Sequence, residues 1–190
     1  MILAHWRARR ANRVLIDQLH GRIVAAARRP ALYVEFGVPD RYDGRFEMVT
    51  LYAGLALRRL TRLSGIGTEI AEELANSVFR HFEVALREIG VGDVAVPRRL
   101  KQMAEAFYGR NKAYAAALDD DDLDRLAAAL ARNVYGIADA SGAPAVARLA
   151  RLVRATAEAL DRTPLETFAR GEAEFPEPTD ALVGGEAGRG

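Results

Sequence analysis

The sequence predicts an all-α protein: a compact, single-domain bundle of about six or seven helices followed by a disordered C-terminal tail. Three observations carry this. Apolar residues recur at spacings of three and four nearly throughout, and no stretch alternates long enough to read as a paired strand. Clusters of Gly and Pro separate the periodic stretches. From Gly171 onward Gly, Pro and Glu dominate and apolar residues become few. The chain of 190 residues, 50% hydrophobic and 28% charged, is long enough to bury a core without disulfides or metals. It divides into a basic segment at 1–11, a helical domain at 12–170 and an acidic tail at 171–190.

The first helix is read from Asn12 to Arg29, with Leu15, Leu19, Ile23 and Ala26 on one face, and it stops at Pro30. A connecting segment, "PALYVEFGVPDRYDG", follows; its "LYVEF" has strand character but no partner. The second helix, Arg45 to Ser64, carries Phe46, Val49, Tyr52, Ala53, Ala56, Leu57, Leu60 and Leu63 on one wide arc, extended by Met48, Leu51 and Leu55. A helix apolar over more than half its circumference belongs in the centre of a bundle. The third starts at Thr68 as N-cap, with Glu69, Glu72 and Glu73 at its positive end, and runs to Ile89 before Gly90 as its C-terminal stop. Leu74, Val78, Phe82, Leu86 and Ile89 form its inner face. Pro97 opens the fourth helix. Asp119–Asp122 cap a fifth that ends near Val134, a sixth runs from Ala145 to Leu160, and "TPLETFAR" adds a short seventh.

Composition removes several function classes. There is no cysteine, hence no disulfide, thiolate catalysis or Cys-based metal site. Net charge is +1, and only Lys101 and Lys112 are lysines. The Arg and Ala abundance reads as codon bias, so the arginine count is no argument for RNA. The most apolar run, Met48–Leu57, is far short of the ~20 residues of a membrane span. The N-terminus places Ile2, Leu3 and Trp6 before Arg7, Arg9, Arg10 and Arg13, the reverse of a secretory signal. The protein is read as cytoplasmic with a frayed basic N-terminus, and peripheral contact of those residues with the inner membrane is the alternative.

The search for chemistry gives no catalytic residue, metal ligand or cofactor, and no enzyme is expected. His5, His20 and His81 have no ligand spacing. Four successive aspartates point in four directions and suit helix capping better than an ion. "GIGTEI" and "GVGDVA" lack the third Gly and the preceding strand of a dinucleotide loop. The fourth helix is more informative. Leu100, Met103, Ala104, Phe107, Tyr114 and Leu118 share the face to be buried, while Lys101, Glu105, Tyr108 and Lys112 form a second, polar stripe. Gly109 flanks the stripe, where a glycine weakens the helix or lets another backbone come close. Arg110 borders the apolar face, and Asn111 projects into it and needs hydrogen-bond partners.

The segments "IVAAARRPALYVEFGVPDRYDGRFEMVTLYAGLALRRL" and "FRHFEVALREIGVGDVAVPRRLKQMAEAFYGRNKAY" resemble the ubiquinol–cytochrome c chaperone family. The motifs are "ALY…GVPD…DGRFE", "LRE.GVGD" and "K.MAEAFYGR..AY", in order, over roughly residues 14–135; nothing beyond Ala140 is matched. Tyr52 stands where members often have His, and Glu83 where they often have Asp. The resemblance implies a non-enzymatic, all-helical assembly factor for the cytochrome bc complex. Its implied client is a membrane protein, cytochrome b or another subunit, met in mitochondrial members at the ribosome with a small partner protein.

Matching motifs nominate partner-binding residues: Asp43, Arg45 and Glu47 at the head of the second helix; Arg87, Glu88 and Asp93 at the end of the third; Lys101, Glu105, Tyr108, Gly109 and Arg110 on the fourth. For the charged ones the competing role is fold stabilisation, an Arg45 or Arg110 tied to a carboxylate inside the protein. The functional alternative is a ribosome- or RNA-binding module using Arg7–Arg13 and Arg98–Arg99.

Overall fold

The computed structural model describes residues 2–179, with side chains from Asn12 onward. Its elements are α1 (Ile2–Ala27), α2 (Pro30–Val34), α3 (Tyr42–Arg62), α4 (Ile66–Glu88), α5 (Val96–Asp119), α6 (Leu123–Leu130), a π-helical turn (Ala131–Tyr135), α7 (Pro144–Arg162) and α8 (Leu165–Ala169). The all-α expectation holds, and no strand occurs among the described residues.

α3 is central, as its apolar circumference requires: α1, α4, α5, α7 and the π turn all pack on it. Met48, Leu51, Tyr52, Ala53, Ala56 and Leu60 are buried along it. Its C-terminal end is tied by charge. Arg58 pairs with Asp119 at 2.8 Å and with Asp161 at 3.0 Å, joining α3 to the C-terminal ends of α5 and α7. Asp122 is the side-chain cap of α6, accepting from the Arg125 N–H at 2.8 Å. The aspartate run therefore divides its work between an inter-helix brace and a cap.

Four boundaries differ from expectation, each for a physical reason. The helix expected from Asn12 starts at Ile2, so residues 2–11 are part of α1 in their backbone; the side chains invoked for membrane contact, Ile2, Leu3 and Trp6, lie outside the described ones. "LYVEF" is no strand. Pro30 opens α2, whose turns close through Glu35 N–H to Ala31 O at 2.8 Å and Val38 N–H to Leu32 O at 3.1 Å, burying Leu32, Phe36 and Val38. Thr68 is not the cap of α4. Gly65 takes that position with φ +50°, and Thr68 lies in the first turn, donating to Gly65 O at 3.0 Å.

The fourth difference is at the C-terminus. Residues 171–179, expected to be disordered, form an extended strap with Gly171, Ala173, Phe175 and Pro178 turned inward and Glu172, Glu174 and Glu177 outward. Phe175 meets the buried Tyr52 ring edge-on at 5.5 Å. Arg29 clamps the strap, donating to Phe175 O at 2.8 Å and to Pro176 O and pairing with Glu177 at 2.9 Å. Residues 180–190 of the expected tail lie outside the described residues.

Candidate interaction groove

The α3–α5 seam is built around one glycine. A Cβ on Gly54 would overlap the Asn111 side chain, so the absence of a side chain on α3 is what admits Asn111 from α5. Asn111, expected to need partners, leaves Nδ2 buried without a protein acceptor. Immediately before Asn111 on α5, Arg110 Nε lies 2.7 Å from the Glu47 carboxylate, which is only 5% exposed. The N–H does not point along that contact, so it is an ion pair without a hydrogen bond. Burial pushes Glu47 up to about 7; Arg110 opposes the rise and Asp43 adds to it. Arg110 also lies over the Phe46 ring, 5.6 Å from its centroid.

Beside this seam α3, α4 and α5 enclose an open cavity of about 700 Å³. Its apolar lining comes from Leu51 and Leu55 of α3, Ala71 and Ala75 of α4, and Phe107 and Leu118 of α5. Glu72 and Asn76 stand on the α4 rim, Tyr108 and Lys112 on the α5 rim, and Asn111 and Tyr114 present polar groups within it. An apolar cleft with a few convergent polar groups is what a binding site for an apolar ligand looks like. Tyr108 is 58% exposed yet held in place, its ring 5.7 Å from Phe79 and 5.4 Å from Phe107.

The eleven nominated residues separate by position. Tyr108 alone lines the groove. Gly109 is exposed, with nothing within 4 Å of where its Cβ would be, so no neighbouring helix uses it. Glu47 and Arg110 are tied to each other, and Arg45 pairs with Asp40 at 2.7 Å on the surface. Arg87 pairs with Glu83 at 2.7 Å and Asp93 at 3.4 Å, and Lys101 approaches Glu105 at 3.9 Å, all near the α4–α5 turn with Glu88. Asp43 is exposed in the first turn of α3. Sequence reasoning passed over Gly54 and Asn76 and gave Glu72 only a helix-dipole role. Gly54 sits in the run "LYAGLAL", where a small residue in an apolar helix was the available signal.

Distant histidines also meet. His20 and His81 stack edge to face at 5.1 Å between α1 and α4, and His20 Nδ1 lies 3.0 Å from Ser77 Oγ. Burial first, then the neighbouring His81, lowers His20 to about 4. Among the described residues no group of three or more His, Asp or Glu converges as a metal site. No helix among them is long and apolar enough to cross a membrane.

Comparison with known proteins agrees with this architecture. Residues 34–175 match the ubiquinol–cytochrome c chaperone family. The match continues through α7 and α8 to Phe175 of the strap, beyond the point near Ala140 where the motif resemblance stopped. A crystal structure of the Cbp3 homologue from Brucella abortus superposes with a TM-score of 0.83 at 37% identity, covering 94% of this chain and 98% of that one. Comparison with curated proteins gives no match. The matched segment is most of the chain and includes both seam and groove, so the chain belongs to the ubiquinol–cytochrome c chaperone family, a family of assembly chaperones.

Proposed function

We propose that this protein is a non-enzymatic assembly chaperone that receives newly made cytochrome b in the groove between α3, α4 and α5. Family membership carries the reading, and the groove supports the place. An all-helical protein has no sheet edge to offer, so a client segment docks as a helix laid into the cleft. The lining of Leu51, Leu55 and Phe107 takes its apolar face. Glu72 on one rim and Lys112 on the other set its orientation by charge. Tyr108 is a rigid aromatic anchor at the edge, the kind of residue that dominates interface energetics. Asp43, Arg45, Arg87, Glu88, Asp93, Lys101, Glu105 and Gly109 are proposed as outer contacts, whereas Glu47 and Arg110 act by holding α3 to α5. The site of action is the cytoplasmic side of the inner membrane. A second reading, ribosome contact through Arg7–Arg13, concerns side chains of which only Arg13 is described, exposed on α1.

Deleting the gene is expected to lower assembled cytochrome bc complex and leave other respiratory complexes intact. Normal levels of that complex in the deletion strain sink the proposal. A photo-crosslinker replacing Tyr108 should capture cytochrome b; capture of a different bc subunit would correct the client. Ala75→Arg, which fills the groove from α4, should abolish the crosslink while the thermal transition stays in place. Salt-sensitive co-sedimentation with ribosomes is the result expected from the second reading.

A further inference from the structure

The turn joining α4 to α5 displays apolar side chains outward on a tightly closed backbone. Gly90, at φ +85°, ends α4, with its N–H on Arg87 O at 3.0 Å and the Val91 N–H on Leu86 O at 3.0 Å. Ala95 N–H then closes onto Gly92 O at 2.8 Å. This fixed frame leaves Ile89 56% and Val94 98% exposed. Directly after it, Arg98 and Arg99 stand exposed in the first turns of α5, and among the described residues neither side chain makes a hydrogen bond or ion pair. Cations there oppose the helix dipole, and no acidic residue occupies that first turn. Residues 87–101 carry four bases, Arg87, Arg98, Arg99 and Lys101, against Glu88 and Asp93, and Asp93 already faces Arg87.

Arginine at a helix N-terminus costs the isolated protein stability, and the exposed Val94 and Ile89 give up burial they could gain elsewhere. One ligand answers both: a surface with apolar depth and anionic heads. We propose that the α4–α5 turn is a docking tip for an anionic phospholipid surface, with Val94 and Ile89 entering the headgroup–acyl boundary and Arg98 and Arg99 meeting phosphates. A nucleic acid would use the arginines but leave the apolar pair without a role. The groove begins on α4 near Asn76, about 18 Å along the helix from the tip, so docking would hold the cleft just above the headgroups. This inference does not depend on what the groove binds.

The test is co-sedimentation of the full chain with vesicles of phosphatidylcholine alone and of phosphatidylcholine mixed with phosphatidylglycerol. Binding is expected only to the anionic vesicles and should weaken with salt. Arg98→Ala/Arg99→Ala should lower the partition coefficient on the order of tenfold, since each base near such a surface contributes measurably. Val94→Asp, at a position with no packing to lose, should lower it further with an unchanged thermal transition. Loss of capture at Tyr108 with vesicle binding intact would count against the groove and leave the tip standing. No binding to anionic vesicles, binding untouched by all three substitutions, or tip-dependent binding to RNA or to a protein instead of vesicles, overturns the proposal.

Discussion

Gly54 and Gly109 are both glycines inside long helices, and they do opposite things. Gly54 is where α5 comes close enough to α3 to place Asn111 against the backbone. Gly109, two residues before Asn111 on α5, faces outward, with open space where its Cβ would be. The difference separates the molecule into an inner seam, where every substitution meets a neighbour, and an outer face, where it meets solvent or a partner. A glycine in a helix announces a missing Cβ but not what needs the space. Only the packing distinguishes them.

The largest effects should come from the seam. Gly54→Ala forces Asn111 out of place and is expected to cost about 1–3 kcal/mol, with Gly54→Leu unfolding the protein. Adding Asn111→Ala to Gly54→Ala should recover most of the loss, a coupling measurable by denaturant titration of the four proteins in the cycle. Additive losses would mean that the glycine serves something other than Asn111. Arg110→Ala leaves the buried Glu47 carboxylate unpaired and should cost about 3 kcal/mol at pH 8. Arg45→Ala, which removes a surface pair with Asp40, should leave the unfolding midpoint where it was. Equal effects from the two arginines would erase the division between seam and face.

The seam can also be read through pH. Glu47 rises from 4.5 to about 7 on folding, so the native state holds its proton more tightly. Its contribution is full below pH 4.5 and is lost as pH rises to 7. His20, lowered from 6.5 to about 4, has the opposite sign: its neutral ring favours the native state above pH 6.5, and that contribution is lost on acidification toward 4. Wild-type stability should therefore change little between pH 5 and 6.5. Glu47→Gln should uncover a rise in stability with pH across that window, and His20→Asn should uncover a fall. Identical pH profiles for the two variants would show that neither group titrates as its burial requires.

This opposition explains what the sequence made legible. Helix periodicity, the central place of α3, the Gly90 stop and the Asp122 cap follow from local rules, and those rules decided them correctly. What escaped depended on distant partners. His20 and His81 are sixty-one positions apart, and nothing in their spacing brings them together. The strap looked disordered because Phe175 and Ala173 are few apolar residues among acids; their burial depends on Tyr52 and the Arg29 clamp. Five residues of α2 begin at a Pro that was read as an end. Of the nominated residues, the motif could give identity but not orientation. Glu47, Arg110 and Tyr108 sit within motifs of equal weight, yet two face inward and one faces the groove.

The smallest expected effect is at Gly109, and it sharpens the comparison most cleanly. With no atom near the added methyl, Gly109→Ala removes only the backbone-entropy cost of glycine in a helix. Stability should rise by about 0.5–1 kcal/mol, or roughly 1–4 °C in Tm for a chain of this size. Gly109→Leu should also fold. Its side chain would then stand beside Tyr108 on the outer face, so a drop in Tyr108 crosslinking with an unchanged Tm would identify Gly109 as a point of client approach. If the leucine variant crosslinks like wild type, the glycine is a tolerated weakness of α5 and the client keeps to the groove side. If it unfolds, a contact invisible in the isolated chain holds that face, and the division between seam and surface fails at the position where it was drawn.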